Sequence, residues 1–260
     1  MIKLVVSDLD GTLLDDNSYL PHEIHDIIDS LVSSGIYFTA ASGRQINNLK
    51  RLFNNRADIF YIAQNGSYIE YANKMLYTAS ISKDILTIII DNAYSLGLFP
   101  MLYNNEAIFI KDKEPEFRKM LDGYDVDYEE VDNFDFIDNI GKISLMSICD
   151  DISKYKRKFL SLNGVSTYIS HKHLLDLTKS GVSKGTALSF IQQSFNISIE
   201  STMTFGDSEN DISMFEKSYY SFAMQNSSEQ IKRYAKYLAP SNNDNGVIRI
   251  LLNINQFVND

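Results

Sequence analysis

Leu4-Val5-Val6-Ser7-Asp8-Leu9-Asp10-Gly11-Thr12-Leu13 is the stretch that decides the fold. A short apolar run, Leu4-Val5-Val6, delivers two carboxylates one residue apart, and Gly11-Thr12 then breaks the strand. The run is apolar on both faces, as in a buried parallel strand. Charge does not belong inside such a strand. It is at home at the carboxyl end, where open α/β sheets place their ligand crevice. The segment therefore predicts two acids at the mouth of a sheet, where a metal and a phosphate could meet. Taken alone, it is equally an Asp-Gly turn with its acids in water. A calcium loop is excluded: counting from Asp8, the sixth and twelfth positions hold Leu13 and Tyr19 in place of glycine and a bidentate glutamate.

Working outward, strand and helix signals alternate. A helix is expected over 22–34, with Ile24, Ile27, Ile28 and Leu31 at helical spacing and Gly35 as its stop. A strand over 36–40 ends in Ser42-Gly43-Arg44, a helix covers 46–53, and a strand over 59–63 ends in Gln64-Asn65-Gly66 and turns into a hairpin. This is a doubly wound start. From 82 the pattern changes to helix (83–96), two strands (99–103, 107–111), a short helix (114–121), an acidic stretch read as a solvated loop (122–138), a strand (142–149), a helix (152–162) and two more strands (165–170, 174–178). After Gly181 the doubly wound pattern resumes. Ser183 caps a helix over 184–195, and a strand over 202–205 runs into Gly206-Asp207-Ser208. A helix over 211–216, a strand over 221–223, a helix over 228–234 and a strand over 237–239 follow. The expected architecture is α/β: a Rossmann-like doubly wound core from residues 1–81 and 183–260, interrupted by an α+β insert over 82–182.

Composition narrows the function. The chain has 260 residues, is 44% hydrophobic and carries a net charge of −10, which argues against a general nucleic-acid binder. An anionic substrate then needs a local positive site. Cys149 is the only cysteine, so no internal disulfide forms, as expected in a reducing cytoplasm. The N-terminal apolar stretch is too short for a signal peptide, and the most apolar later segment, 85–102, is interrupted by Asp91 and Asn92. A cytoplasmic protein without membrane partners is the expectation.

Four strand ends carry polar groups: Asp8 with Asp10, Ser42 with Gly43 and Arg44, Lys184 near a helix start, and Asp207 with Asn210 and Asp211. Each has a plain structural reading. Ser42-Gly43 is a turn, Lys184 a solvated helix-start lysine, Asp207 an N-cap, and Asp211 an acid against a helix dipole. Such readings holding at all four ends together is the less economical account, because parallel strands bring their ends to one crevice. The set suits phosphoryl transfer from a monoester, for which enzymes reach accelerations of up to ~10²¹. Asp8 serves as a carboxylate nucleophile, and Asp10 protonates the leaving oxygen and deprotonates water. Asp8 and Asp207 suit Mg²⁺, Ser42 and the Gly43 amide donate to phosphate, and Lys184 neutralises it. Lys184 is followed by Gly185 and no P-loop pattern occurs.

Together these motifs resemble the haloacid dehalogenase superfamily, in its Cof-like sugar-phosphatase branch: DLDGTLLD, ASGR, GVSKGTAL and GDSENDISM match its four motifs in order, and QNG and NNDNGV also look like this branch. The resemblance implies Asp8 as nucleophile, Asp10 as acid/base, and Mg²⁺ held by the Asp8 carboxylate, the Asp10 carbonyl and Asp207. It further implies Ser42, Gly43, Lys184 and Asn210 on phosphate, Arg44 and Asp211 behind them, and an insert acting as an α/β cap. One departure is Gln225, where the branch has glycine. The implied activity is hydrolysis of small phosphorylated metabolites. A phosphotransferase or mutase with the same nucleophile is the alternative, and a non-catalytic sugar-phosphate sensor a third. Neither the substrate nor the oligomeric state is readable. His22 and His25 are expected on a surface helix, and His171 and His173 at the insert's last hairpin turn.

Overall fold

A computed structural model of the chain describes residues 1–122 and 128–257. The chain divides into two compact units, residues 1–77 with 183–260 and residues 78–182. Among the described residues no helix is long and apolar enough to cross a membrane.

The first unit is built on an eight-stranded sheet. Its elements are β1 (Leu4–Ser7), α1 (Ile24–Ser33), β2 (Tyr37–Ala41), α2 (Ile46–Leu52), β3 (Phe60–Ala63), β4 (Tyr68–Tyr71) and β5 (Lys74–Thr78). The order across the sheet places β1 in the middle, with β2 to β5 on one side and the three strands from the end of the chain on the other. β1 pairs in parallel with β2, Leu4 opposite Tyr37, and β3 and β4 form the expected antiparallel hairpin. Leu4, Val5 and Val6 are fully buried. Side chains alternate across a strand, so Val5 joins the cluster of Ile28, Phe38 and Phe205, while Leu4 and Val6 join that of Ile62, Leu188 and Ile191. Both faces are covered, which is why the run is apolar at every position. Each such side chain contributes about 1.5–3 kcal/mol on burial.

The second unit holds α3 (Lys83–Ser95), β6 (Phe99–Tyr103), β7 (Ile108–Ile110), α4 (Pro115–Asp122), β8 (Glu129–Glu130), β9 (Lys142–Met146), α5 (Ser153–Leu160), β10 (Val165–His171) and β11 (Leu174–Lys179). Its six strands run β10-β11-β9-β6-β7-β8, antiparallel except for the β7–β8 pair. One face is aliphatic and is covered by α3 and α5: Leu102, Ile143, Leu145, Leu175 and Leu177 pack with Ile89, Ala93 and Phe159. The other face divides. Met101, Ile110 and Met146 lie under Phe117 and Leu121 of α4, and beside them the register aligns Tyr103 with Lys142 and Ser144 with Asp176. The acidic stretch read as a loop over 122–138 lies partly outside the described residues. Its described part contains the exposed strand β8, paired through Phe109 and Glu129.

The first unit resumes with α6 (Lys184–Ser194), β12 (Thr202–Gly206), α7 (Ile212–Phe215), β13 (Tyr220–Met224), α8 (Glu229–Lys232), β14 (Tyr237–Ala239) and α9 (Gly246–Leu252). β12 lies parallel to β1 on the side opposite β2, with Leu4 opposite Thr202. Three details differ from the sequence reading. His22 precedes α1 and only His25 is on it. A 3-10 turn, Glu209–Asp211, precedes α7, because Ser208 and Asp211 close a capping box there. β5 and α9 were not expected from the sequence.

Candidate active site

The chain leaves β1 toward β2 on one side and returns as β12 on the other, so β1 is the switch point of the sheet, where open α/β folds place their crevice. Asp8 follows β1 directly and Asp207 follows β12 directly. Oxygens of Asp8, Asp207 and Asp211 all lie within 4.8 Å of one another.

Lys184 stands among these acids. Its ammonium donates to Asp8 Oδ1 at 2.5 Å and to Asp211 Oδ1 at 2.7 Å, and the residue is completely buried. The backbone fixes it there. Lys184 is the first residue of α6, and Ser183 closes a capping box with Thr186, Oγ accepting Thr186 N–H at 3.1 Å. Gly185 lets α6 approach α7, since a Cβ at that position would lie 2.1 Å from the Ser213 carbonyl oxygen. The solvated helix-start reading of Lys184 therefore does not hold.

Asp211 is an organiser. Its Oδ2 accepts the N–H groups of Asp207 and Ser208, both at 3.0 Å, while Oδ1 receives Lys184. Asp207 is steadied from β1's side by Thr12, whose hydroxyl donates to Asp207 Oδ1 at 3.2 Å. Gly11 between Asp10 and Thr12 has φ +75°, and a Cβ there would come within 2.6 Å of Asp207 Oδ2. Only glycine suits both demands.

Burial, and then the neighbouring Asp211 carboxylate, push Asp8 well above the ordinary carboxylate range, with Lys184 opposing. The same two causes push Asp207 up to about 7. Burial pulls the Lys184 ammonium down, but Asp211 and Asp8 together outweigh it and hold it above the ordinary lysine value. Three carboxylates around one ammonium leave two negative charges in excess when all are ionised. The donors are hard oxygens, so the set fits a divalent cation of the Mg²⁺ type, with Asp8 and Asp207 available as ligands.

The remaining expected residues divide. Ser42 is buried after β2; its backbone carbonyl accepts Asn65 N–H at 3.0 Å and its hydroxyl accepts Arg44 N–H at 3.1 Å. Gly43 lies against Asn65, whose Oδ1 would be 3.2 Å from a Cβ added to the glycine. The Asn210 amide donates to Asn65 Oδ1 at 2.9 Å, which links the end of β3 to the turn after β12. The Asp10 carboxylate is outside the acidic cluster. It is half exposed and held by Arg44, with Nε to Oδ2 at 2.9 Å and Nη2 to Oδ1 at 2.5 Å. Thr12 and Asn65 were missed as site residues. For Asn65 a signal existed in Gln64-Asn65-Gly66: both Gln64 and Asn65 take positive φ, and such a turn at a strand end marks a special backbone. Gln225, the departure from the branch's glycine, is not among the described residues with positive φ, so its side chain imposes no strain there.

The sequence profile of the haloacid dehalogenase-like hydrolases matches residues 5–251. The chain is 28% identical over 258 residues to the Escherichia coli (strain K12) 5-amino-6-(5-phospho-D-ribitylamino)uracil phosphatase YbjI, covering 96% of this chain and 95% of that one. It is 26% identical over 274 residues to the Bacillus subtilis (strain 168) phosphatase of the same description, YwtE, with 95% and 96% covered. Among solved structures it is similar to SMU.1108c from Streptococcus mutans UA159, with a TM-score of 0.92, 24% identity, and 98% and 100% of the two chains covered.

Proposed function

The chain belongs to the haloacid dehalogenase-like hydrolase family, and from that membership and the geometry of its acids we propose that it is a Mg²⁺-dependent phosphatase of small phosphorylated metabolites working through an aspartyl-phosphate on Asp8. The observation that carries the proposal is the bridge of the fully buried Lys184 between Asp8 and Asp211, beside Asp207, at the switch point of the sheet.

The Asp8 carboxylate attacks phosphorus, and the bond from phosphorus to the ester oxygen breaks. That oxygen leaves with a proton from Asp10. Asp10 then takes a proton from water, whose oxygen attacks phosphorus. The bond to Asp8 breaks, and inorganic phosphate and the free carboxylate are restored. Lys184 neutralises the phosphoryl oxygens beside Asp8. Ser42, the Gly43 amide and Asn210 donate to them as charge develops. Bound by Asp8, Asp207 and the Asp10 carbonyl, Mg²⁺ would supply the positive charge that lets an anionic phosphate enter a site already rich in carboxylates. Asp211 acts through Lys184 and the amides of residues 207 and 208, and Arg44 sets the direction of Asp10. Residues 82–182 form the cap that reads the organic part of the substrate, with His171 and His173 at its last hairpin turn.

Relatives named as 5-amino-6-(5-phospho-D-ribitylamino)uracil phosphatases support a sugar- or alditol-phosphate substrate, and that compound heads the list to assay. The test is phosphate release from a panel of phosphorylated metabolites with and without Mg²⁺. Metal-dependent release from the wild type and none from Asp8→Asn is the expected result. Formation of an isomeric phosphate without free phosphate would replace hydrolysis by transfer. No turnover of any ester, including a generic aryl phosphate, would reduce the protein to a sensor.

A further inference from the structure

Asp10 is carried by the turn of residues 10–12, and that turn is tied to the far end of the chain by asparagines. Asn226, in the loop after β13, donates its amide to the Gly11 carbonyl at 2.8 Å across 215 residues of sequence. Its own Oδ1 accepts the N–H of Asn242 at 3.2 Å. Asn242, which is buried, donates to the Leu14 carbonyl at 3.1 Å and to Asp16 Oδ1 at 3.0 Å. Asn243 completes the attachment, with Nδ2 to Asp16 Oδ2 at 2.8 Å and Oδ1 accepting Asp16 N–H at 3.0 Å. Both ends of the segment 11–16 are therefore gripped from residues 226–243.

On the opposite side, Gly11 abuts Asp207 and Thr12 bonds to it. Among the described residues the Gly11 carbonyl is the one backbone group of this turn held by a side chain of the C-terminal loops. That carbonyl belongs to the peptide joining Gly11 to Thr12, so a displacement of that peptide shifts the Gly11 Cα, to which Asp10 is joined through the preceding peptide. Catalytic groups displaced by about 1 Å lose on the order of 10²-fold in rate.

We infer that Asn226, braced by Asn242, is a positioning residue for Asp10: its grip on the Gly11 carbonyl sets where the acid stands when the leaving oxygen needs a proton. The inference rests on the reading of Asp10 as the acid/base.

The test is a double-mutant cycle on the full-length protein with Mg²⁺, using Asn226→Ala, Asp10→Asn and the double variant. Each is assayed on 4-nitrophenyl phosphate, a good leaving group, and on glycerol phosphate, a poor one. Asn226 is exposed, so the fold is expected to survive, with melting curves as the check. Asn226→Ala is expected to lower kcat on glycerol phosphate about tenfold or more, with KM within about twofold, and to cost the aryl ester far less. In the Asp10→Asn background the second substitution should cost nothing further, because the group it positions is gone. Asn226→Asp keeps the acceptor for Asn242 N–H, removes the donor to Gly11, and should give the same pattern. Additive losses in the cycle overturn the inference, as does a rise in KM alone, which would make Asn226 a substrate contact. Equal losses on both esters from Asn226→Ala, with Asp10→Asn still selective, overturn it while leaving the reading of Asp10 intact. Equal losses from Asp10→Asn itself overturn both.

Discussion

Among the described residues each unit of the molecule buries one lysine, and the two are buried in different company. In the first unit the fully buried Lys184 donates to two carboxylates at 2.5 and 2.7 Å, with a third, Asp207, close by. In the second unit Lys142, with only 6% of its side chain exposed, has Asp176 at 3.4 Å and lies 4.0 Å over the ring of Tyr103, while Ser144 donates to Asp176 at 2.6 Å. Lys142 and Asp176 balance each other. The charges around Lys184 do not balance. A neutral buried pair is an ordinary, if expensive, packing device. A buried cluster with carboxylates in excess has a cost that a bound proton, an incoming cation or a reaction offsets. The difference teaches which buried charge is structural and which is chemical: the count of charges decides it, and burial does not.

The largest expected effect comes from the nucleophile of the unbalanced cluster. Asp8→Asn should lower kcat by roughly 10³-fold or more with the fold retained. Near-normal phosphate release from the purified variant would break the comparison at its root. Next comes Lys184→Met, expected to cost about 10²–10³-fold in kcat/KM on every ester alike. Lys142→Met should leave turnover of a small aryl phosphate within about threefold. Similar kinetic losses from both substitutions would mean that charge balance does not separate their roles.

Stability should rank the lysines in its own way. Lys142→Met removes the ammonium that faces the buried Asp176 and is expected to cost about 3–5 kcal/mol, read from urea denaturation. Removing both partners in Lys142→Met/Asp176→Leu should recover most of that loss. A double variant as unstable as the single one would show that the pair does more than balance itself.

The smallest effect concerns the metal. Asp207 rises to about 7 in the absence of a cation. Its folded form then binds a proton more tightly than the unfolded chain. The stability this lends is fully present below the ordinary carboxylate range and is lost as pH rises through about 7. A cation competes with that proton. The Mg²⁺-induced gain in stability, read from Tm, should therefore be larger at pH 8 than at pH 5, by about 2.7 kcal/mol at most for the two pH units between 5 and 7. A rise that is the same at both pH values would remove Asp207 from the ligand set.

How much of this was legible in the sequence follows from how each residue is fixed. Asp8, Asp207 and Lys184 were legible because they sit at the boundaries of strong elements: an apolar strand that stops, and a helix that starts at a Ser183 cap. Periodicity locates boundaries, so it locates them. The Asp10–Arg44 pair was not legible, because both side chains leave loops and no period sets a loop side chain's direction. Thr12, Asn226 and Asn242 were missed for a related reason. Each acts through single hydrogen bonds between distant residues, and such bonds leave no spacing to read. β5 was missed because most of it is exposed and its hairpin turns through Ala72 and Asn73, both at positive φ, without a glycine to signal it. α9 was hidden behind Asn245-Gly246, which by composition reads as a turn.

The pairing of β1 with β12 has a consequence in time. Ser7 lies opposite Ala40 on one side and Phe205 on the other. A ribosome adding ~5–20 residues per second delivers the second partner roughly 10–40 s after the strand itself. Through that interval one edge of an apolar strand lacks its neighbour, an arrangement that invites pairing with the wrong chain. Residues 78–182 are contiguous and, among the described residues, the six strands β6 to β11 pair with one another, so this unit is free to complete its sheet while the edge waits. Translation rate and chaperone supply should therefore govern the yield of the core more than that of the insert.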